Sequence, residues 1–232
     1  MFSLKKFLVG AVAGLGMLLG TAANAAPITA LVLVIDGSGS ISSADFATQQ
    51  TAYVNAINAT IPTDGSIAVG VVQFASGVQQ EFALTVIDSG AALTSLTNSI
   101  STMTQLGGGT NIGGGIAMAA GQLDTDHGGA YDCGVINCVI DVSTDGGHNT
   151  GTDPSNATTY FNNDGIVTNC LGIGAGANCS FATGFTVSSL NFNDLQAVLE
   201  RKILRETGRV PAPAALLLIG FGLAGLGLRG RK

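Results

Sequence analysis

The sequence predicts an α/β domain built on a central, mostly parallel sheet with helices on both faces. Two observations carry that expectation. Residues 28–35 form an unbroken apolar run, the pattern of a strand buried on both sides. Further apolar runs then alternate with segments of helical spacing, which is the signature of strands joined by crossover helices.

Taken in order, residues 28–35 are the first strand. Ser42-Ser43-Ala44-Asp45 opens a helix to about Asn58, with Phe46, Gln50, Tyr53, Val54 and Ile57 at helical spacing. Pro62 and Gly65 mark a turn into a second strand over 66–75. Residues 79–87 alternate less cleanly and read as a third strand at a sheet edge. A helix is expected over 91–103, carrying Leu93, Leu96 and Ile100, then a loop at Gly107-Gly108-Gly109-Thr110. A helix of small residues over 112–123 precedes a polar loop over 124–137. The fourth strand is expected at 138–142, a helix at 154–163 with Pro154 near its start, and the fifth strand at 166–173. Residues 174–184 read as irregular. An amphipathic helix over 192–206 presents Leu195, Val198, Leu199 and Ile203 on one face. Asp141 falls inside the fourth strand and requires a buried partner or a sheet end.

The two ends of the chain have a different composition. Lys5 and Lys6 precede an apolar stretch over 7–19 and a small-residue exit at Ala23-Asn24-Ala25, which together read as a secretory signal peptide over 1–25. The apolar core is short for a membrane span. At the other end, Val210-Pro211-Ala212-Pro213 precedes an apolar stretch over 214–228 and a basic end, Arg229-Gly230-Arg231-Lys232. That order reads as a membrane anchor with its basic end in the cytoplasm. Residues 210–232 resemble the PEP-CTERM sorting signal of Gram-negative bacteria, with Val-Pro-Ala-Pro where that family has Val-Pro-Glu-Pro. The resemblance implies transient inner-membrane anchoring, processing by an exosortase, and delivery to the cell surface or extracellular matrix. One domain over 26–209 remains.

Charge in that domain is lopsided. No Lys or Arg occurs over 27–200, while all of the chain's fifteen acidic residues except Glu206 fall there. Such a surface repels nucleic acid and anionic lipid. A phosphate-cradling loop would also call for a lysine. The four cysteines, in an exported domain, point to disulfides, and three pairings are open. The short local loops Cys133 with Cys138 and Cys170 with Cys179 are favoured. No Cys-x-x-Cys occurs, and His127 and His148 are the only histidines, which disfavours zinc.

Ligands of an open α/β sheet bind beyond the carboxyl ends of its strands. There Asp36, Ser38 and Ser40 close the first strand, Thr110 follows three glycines, and Asp145 follows Ser143-Thr144. Carboxylate, hydroxyl and water oxygens suit a hard cation such as Mg²⁺. This pattern, Asp36-x-Ser38-x-Ser40 with Thr110 and then Asp145-Gly146, resembles the metal-ion-dependent adhesion site (MIDAS) of von Willebrand factor A domains. Residues 139–146, with Asn149 and Gly151, are similar to an uncharacterised bacterial subfamily of that group. The resemblance implies a Rossmann-like sheet with one antiparallel edge strand. It also implies a Mg²⁺ site, with Mn²⁺ or Ca²⁺ as alternatives. Ser38, Ser40 and Thr110 would contact the ion directly, and Asp36 and Asp145 partly through water. An open coordination position would take an acidic group of a partner protein or extracellular polymer.

Competing readings are weaker. A phosphotransfer motif that starts with Asp36 needs a second Asp where Ser38 stands. His148 is a candidate member of a hydrolase triad, but no Gly-x-Ser-x-Gly elbow accompanies it. A metal-dependent hydrolase using Asp145 or His148, and a purely structural matrix protein, remain the alternatives to a non-enzymatic binding module. Gly172-Ile173-Gly174-Ala175-Gly176 reads as a turn rather than a dinucleotide loop. Asp124, Asp126 and Asp132 read as a solvated acidic loop rather than a Ca²⁺ site.

Overall fold

The computed structural model describes residues 27–209. The signal peptide and the C-terminal tail expected from the sequence lie outside the described residues. Among the described residues, no helix is long and apolar enough to cross a membrane.

Among the described residues, six strands form one sheet in the order β3-β2-β1-β4-β5-β6. They are β1 (Thr29–Asp36), β2 (Ile67–Phe74), β3 (Val78–Val86), β4 (Asn137–Thr144), β5 (Ile166–Ile173) and β6 (Thr186–Ser189). Only β3 runs antiparallel, at one edge beside β2. Every residue of β1 and β2 is buried, as expected for central strands covered on both faces.

Side-chain alternation along β1 divides the core in two. Leu31, Leu33 and Ile35 pack under α1 (Ser43–Thr60), α2 (Gly90–Ser101) and α5 (Leu195–Glu206). Ala30, Val32 and Val34 pack under α3 (Ile112–Leu123) and α4 (Pro154–Asn162). The small residues of α3 let it approach the sheet closely: a Cβ on Gly115 would stand 2.8 Å from Val34 Cγ1. Side-chain caps set the helix starts, with Ser42 accepting from Asp45 N at 3.2 Å and Asn111 from Gly114 N at 3.0 Å.

Residues 174–184 are irregular as expected; one strand was not anticipated and two expectations are corrected. The segment over 174–184 is followed by a sixth strand, β6, which pairs with the upper half of β5. Strand β4 is longer than 138–142 because the parallel register with β1 continues to Ile35↔Ser143. The loop over 124–137 is not simply solvated. Asp124 is buried, accepting from Asp126 N at 2.8 Å and Cys133 N at 3.1 Å, while Asp126 and Asp132 are exposed. The disulfides are Cys133–Cys138 and Cys170–Cys179, as favoured from spacing.

Candidate functional site

The carboxyl ends of β1 and β4 lie side by side, and the loops that follow them meet there. Asp36, the last residue of β1, is fully buried. Its Oδ1 accepts from Ser38 N at 2.8 Å and its Oδ2 from Thr144 Oγ1 at 2.7 Å. The β1–β4 register places Thr144 beside it. Ser38 Oγ lies 3.1 Å from Ser40 Oγ, and Ser40 Oγ donates to Asp145 Oδ1 at 2.7 Å. Asp36, Ser38, Ser40 and Asp145 therefore form one contiguous cluster, graded from a buried floor to an exposed rim at Ser40.

Thr110 joins the cluster through backbone. Gly39 N donates to Gly108 O and Gly107 N to Gly37 O, both at 2.8 Å, which stitches the Thr110 loop to the Ser38 loop. Asn149, on the Asp145 loop, accepts from Thr110 N at 2.8 Å, and its own backbone N–H donates to Thr110 O at 3.1 Å.

Four glutamines brace the surroundings. Gln49 Nε2 caps Asp36 O at 2.9 Å. Gln105 Nε2 donates to Ser38 O at 3.1 Å and Ile41 O at 2.9 Å. Gln73, buried in β2, donates to Thr104 O at 3.0 Å and accepts from Leu106 N at 2.8 Å. Gln50 binds Ile100 O at 2.7 Å and Met103 O at 2.8 Å, where α2 feeds the loop. Gly37 leaves room for the Gln73 side chain, whose Cδ would lie 2.7 Å from a Cβ there, so a larger residue would displace that amide.

Electrostatically the site lacks a counter-ion. Burial pushes the Asp36 carboxyl above its ordinary value; hydrogen bonds from Ser38 and Thr144 oppose that shift and the Asp145 charge adds to it. Among the described residues, the ion pairs engage Asp64, Asp141, Asp164 and Glu206, so neither Asp36 nor Asp145 has a basic partner. Each Asp36 oxygen accepts one hydrogen bond and keeps further acceptor capacity. Two carboxylates among hydroxyls fit a hard divalent cation. Among the described residues, no group of three or more His, Cys, Asp or Glu is arranged to hold a metal.

Spacing alone overlooked Thr144 and the glutamine braces. Thr144 carried a signal: its neighbour Ser143 turns to the α1 face, where Tyr53 donates to its Oγ at 2.8 Å, so Thr144 faces the opposite way. Each glutamine is tied to a segment remote in sequence. His148 lies on the Asp145 loop with Nδ1 buried and without a hydrogen-bond partner.

A family model described as "Protein of unknown function (DUF1194)" matches residues 28–210. The chain belongs to this family. A PEP-CTERM protein-sorting motif matches residues 209–232 of this DUF1194 protein, giving an exported protein with a C-terminal sorting signal. No curated protein matches the sequence significantly. Among solved structures, the proximal thread matrix protein 1 of the mussel byssus, in a form with a zinc-occupied MIDAS motif, matches with TM-score 0.65 and 22% identity over 77% of this chain and 48% of that one. A von Willebrand factor type A protein from Catenulispora acidiphila matches with TM-score 0.64 and 17% identity, over 78% of this chain and 43% of that one. BatB from Bacteroides thetaiotaomicron matches with TM-score 0.60 and 16% identity, over 78% and 99%. The DUF1194 chain thus spans about half the length of the mussel protein. At these identities the likeness establishes the von Willebrand factor A fold.

Proposed function

We propose that this protein is an exported von Willebrand factor A-like binding module. Asp36, Ser38, Ser40, Thr110 and Asp145 would hold a divalent cation, Mg²⁺ first and Mn²⁺ or Ca²⁺ as alternatives. The ion's open position would take an acidic group of a partner protein or extracellular polymer at the Gram-negative cell surface or in the matrix. One observation carries the reading: Ser38, Ser40 and Asp145, from two loops, gather at the fully buried Asp36 carboxylate, which has no basic partner among the described residues. A bound cation supplies the missing positive charge and explains why the hydroxyls gather there. The zinc-occupied MIDAS of the mussel protein supports a divalent site on this fold, and the sorting motif supports an extracellular setting. The cluster needs no chemical step, since its carboxylates serve as ligands and no poised general base stands beside them.

The test is capture of the purified chain on extracellular matrix or an immobilised acidic polymer, with Mg²⁺ or with EDTA. Binding should be lost in EDTA and return with Mg²⁺. It should also be lost in Asp36→Ala and Thr110→Ala variants whose circular dichroism is native. Capture that is indifferent to EDTA and to both substitutions overturns the proposal.

A further inference from the structure

Lys202 is the only lysine between residues 7 and 231, and it is 1% exposed. It sits on α5, away from the cation cluster. Its Nζ touches the carboxylate of Asp141 on β4 and lies 2.5 Å from Glu206 Oε1, one helical turn further along. Both acids are buried. Asn169 on β5 donates to the same Glu206 oxygen at 3.0 Å, and its Oδ1 accepts from Phe185 N at 2.9 Å. The Phe185 ring lies 5.7 Å from Nζ, and the Arg205 guanidinium stacks on that ring at 3.8 Å. Asp141 Oδ2 and Glu206 Oε2 have no hydrogen-bond partner. Two acids and one base thus meet in a dry site, where three full charges leave one uncompensated.

We propose that Lys202 and Asp141 condense to an intramolecular isopeptide bond, an amide between Nζ and Cγ, with Glu206 as the acid–base group. The three requirements are contact between amine and carboxyl, exclusion of bulk water, and an acid at the reacting nitrogen, and all three are present. Holding the reactants in contact removes the entropic barrier that makes amide formation slow in solution. Glu206 is pushed up to about 8 by burial and then by the Asp141 charge, so it carries a proton at neutral pH. Its Oε1 already accepts from Lys202 and Asn169, which places that proton on the unpartnered Oε2. Burial works against the Lys202 ammonium, but the two carboxylates outweigh it and hold its pKa above the ordinary value. Against that pull, the amine is freed when it passes a proton to the Asp141 carboxylate that it touches, which replaces two buried charges by none. Nζ then attacks Cγ and the C–N bond forms. Glu206 takes a proton from the nitrogen and returns one to the departing hydroxyl, the C–O bond breaks, and water leaves. Ammonium plus carboxylate gives amide plus water, so no oxidant or activating reagent is consumed. A cavity of about 500 Å³ lined by Asn169, Phe185, Arg205 and Glu206 adjoins the site. The product would tie the last helix covalently to the centre of the sheet.

Mass spectrometry of the purified full chain decides this. After reduction of the disulfides, the intact mass should fall short of the sequence mass of the recovered species by one water. Tryptic digestion should leave the Lys202–Ile203 bond uncut and yield a branched peptide joining Asp141 to Lys202. A Glu206→Gln variant with native circular dichroism should show free Lys202 in linear peptides only. Full mass and complete cleavage after Lys202 in folded wild-type protein overturn the bond. Equal cross-linking in wild type and Glu206→Gln overturns the role given to Glu206. Neither result depends on the cation site.

Discussion

Asp36→Asn should have opposite effects on stability with and without a divalent cation. Asparagine keeps the shape of the side chain and an acceptor for Ser38 N, and Thr144 Oγ1 can turn to accept from the new amide. What disappears is a fully buried carboxylate with no basic partner among the described residues. In EDTA the variant should therefore be more stable than wild type, by about 1 kcal/mol. With metal the order reverses. A ligand bound only by the folded state contributes about 2.7 kcal/mol at a hundred times its Kd. For a domain of this size that moves Tm by roughly 5–10 °C. Differential scanning fluorimetry in EDTA and across a Mg²⁺ or Mn²⁺ titration measures both arms. Wild type should climb with metal and the variant should stay flat, so their curves cross. Parallel curves, or a variant less stable than wild type in EDTA, would refute the assignment of Asp36 as a cation ligand in a site lacking its counter-ion.

Gly37→Ala should push the Gln73 amide off Leu106 and Thr104. The expected cost is about 1–3 kcal/mol by chemical denaturation, together with weaker Mg²⁺ binding by calorimetry as the Thr110 loop loosens; unchanged binding would show that the brace is not needed. Removing the Cys170–Cys179 bridge by a double Ala substitution should cost about 2–3 kcal/mol in urea unfolding. It should also lower metal affinity, because the bridged loop holds the Asp145 loop through Asn178 N donating to Gly146 O at 3.1 Å; intact affinity would show the loops to be independent. Glu206 keeps its proton up to about 8 in the folded state against an ordinary 4.5. The folded state therefore binds the extra proton across that window, and this stabilisation is complete below 4.5 and lost as pH rises through about 8. In a chain whose mass shows Lys202 and Asp141 still free, the stability difference from Glu206→Gln should change by at most about 5 kcal/mol at ~1.4 kcal/mol per pH unit, read from denaturation midpoints across pH. A flat difference would mean that Glu206 is already ionised at neutral pH.

The central strands and the oxygen-bearing loops were legible because short-range pattern encodes them. A strand buried on both faces has to be apolar throughout, so 28–35 stood out, and the spacing of Asp36, Ser38 and Ser40 follows directly at its end. What stayed hidden depends on partners far apart in the chain. Strand β6 is four residues long, has two of them exposed and pairs with β5 alone, so no apolar periodicity marks it. Asp124 looked like one of three solvated acids, yet only it turns inward, onto the amide of Cys133. Asp141 was recognisable as a misfit inside a strand, but its partner lies on the last helix, and only the packing of α5 against β4 reveals the pair.

The placement of α5 also bears on how the domain carries load. Its last turn lies at the lower end of the sheet, where Asn137, the first residue of β4, donates to Glu206 O at 3.0 Å and Arg209 reaches Asp64 at 3.0 Å, just before β2. The oxygen cluster lies at the upper end. Tension applied between a partner held at Asp145 and a tail beginning after Arg209 would run along the strands rather than across them. Pulled lengthwise, the β1–β4 ladder must break its hydrogen bonds together instead of one after another. Force applied along that axis loads the parallel strands lengthwise rather than peeling them apart.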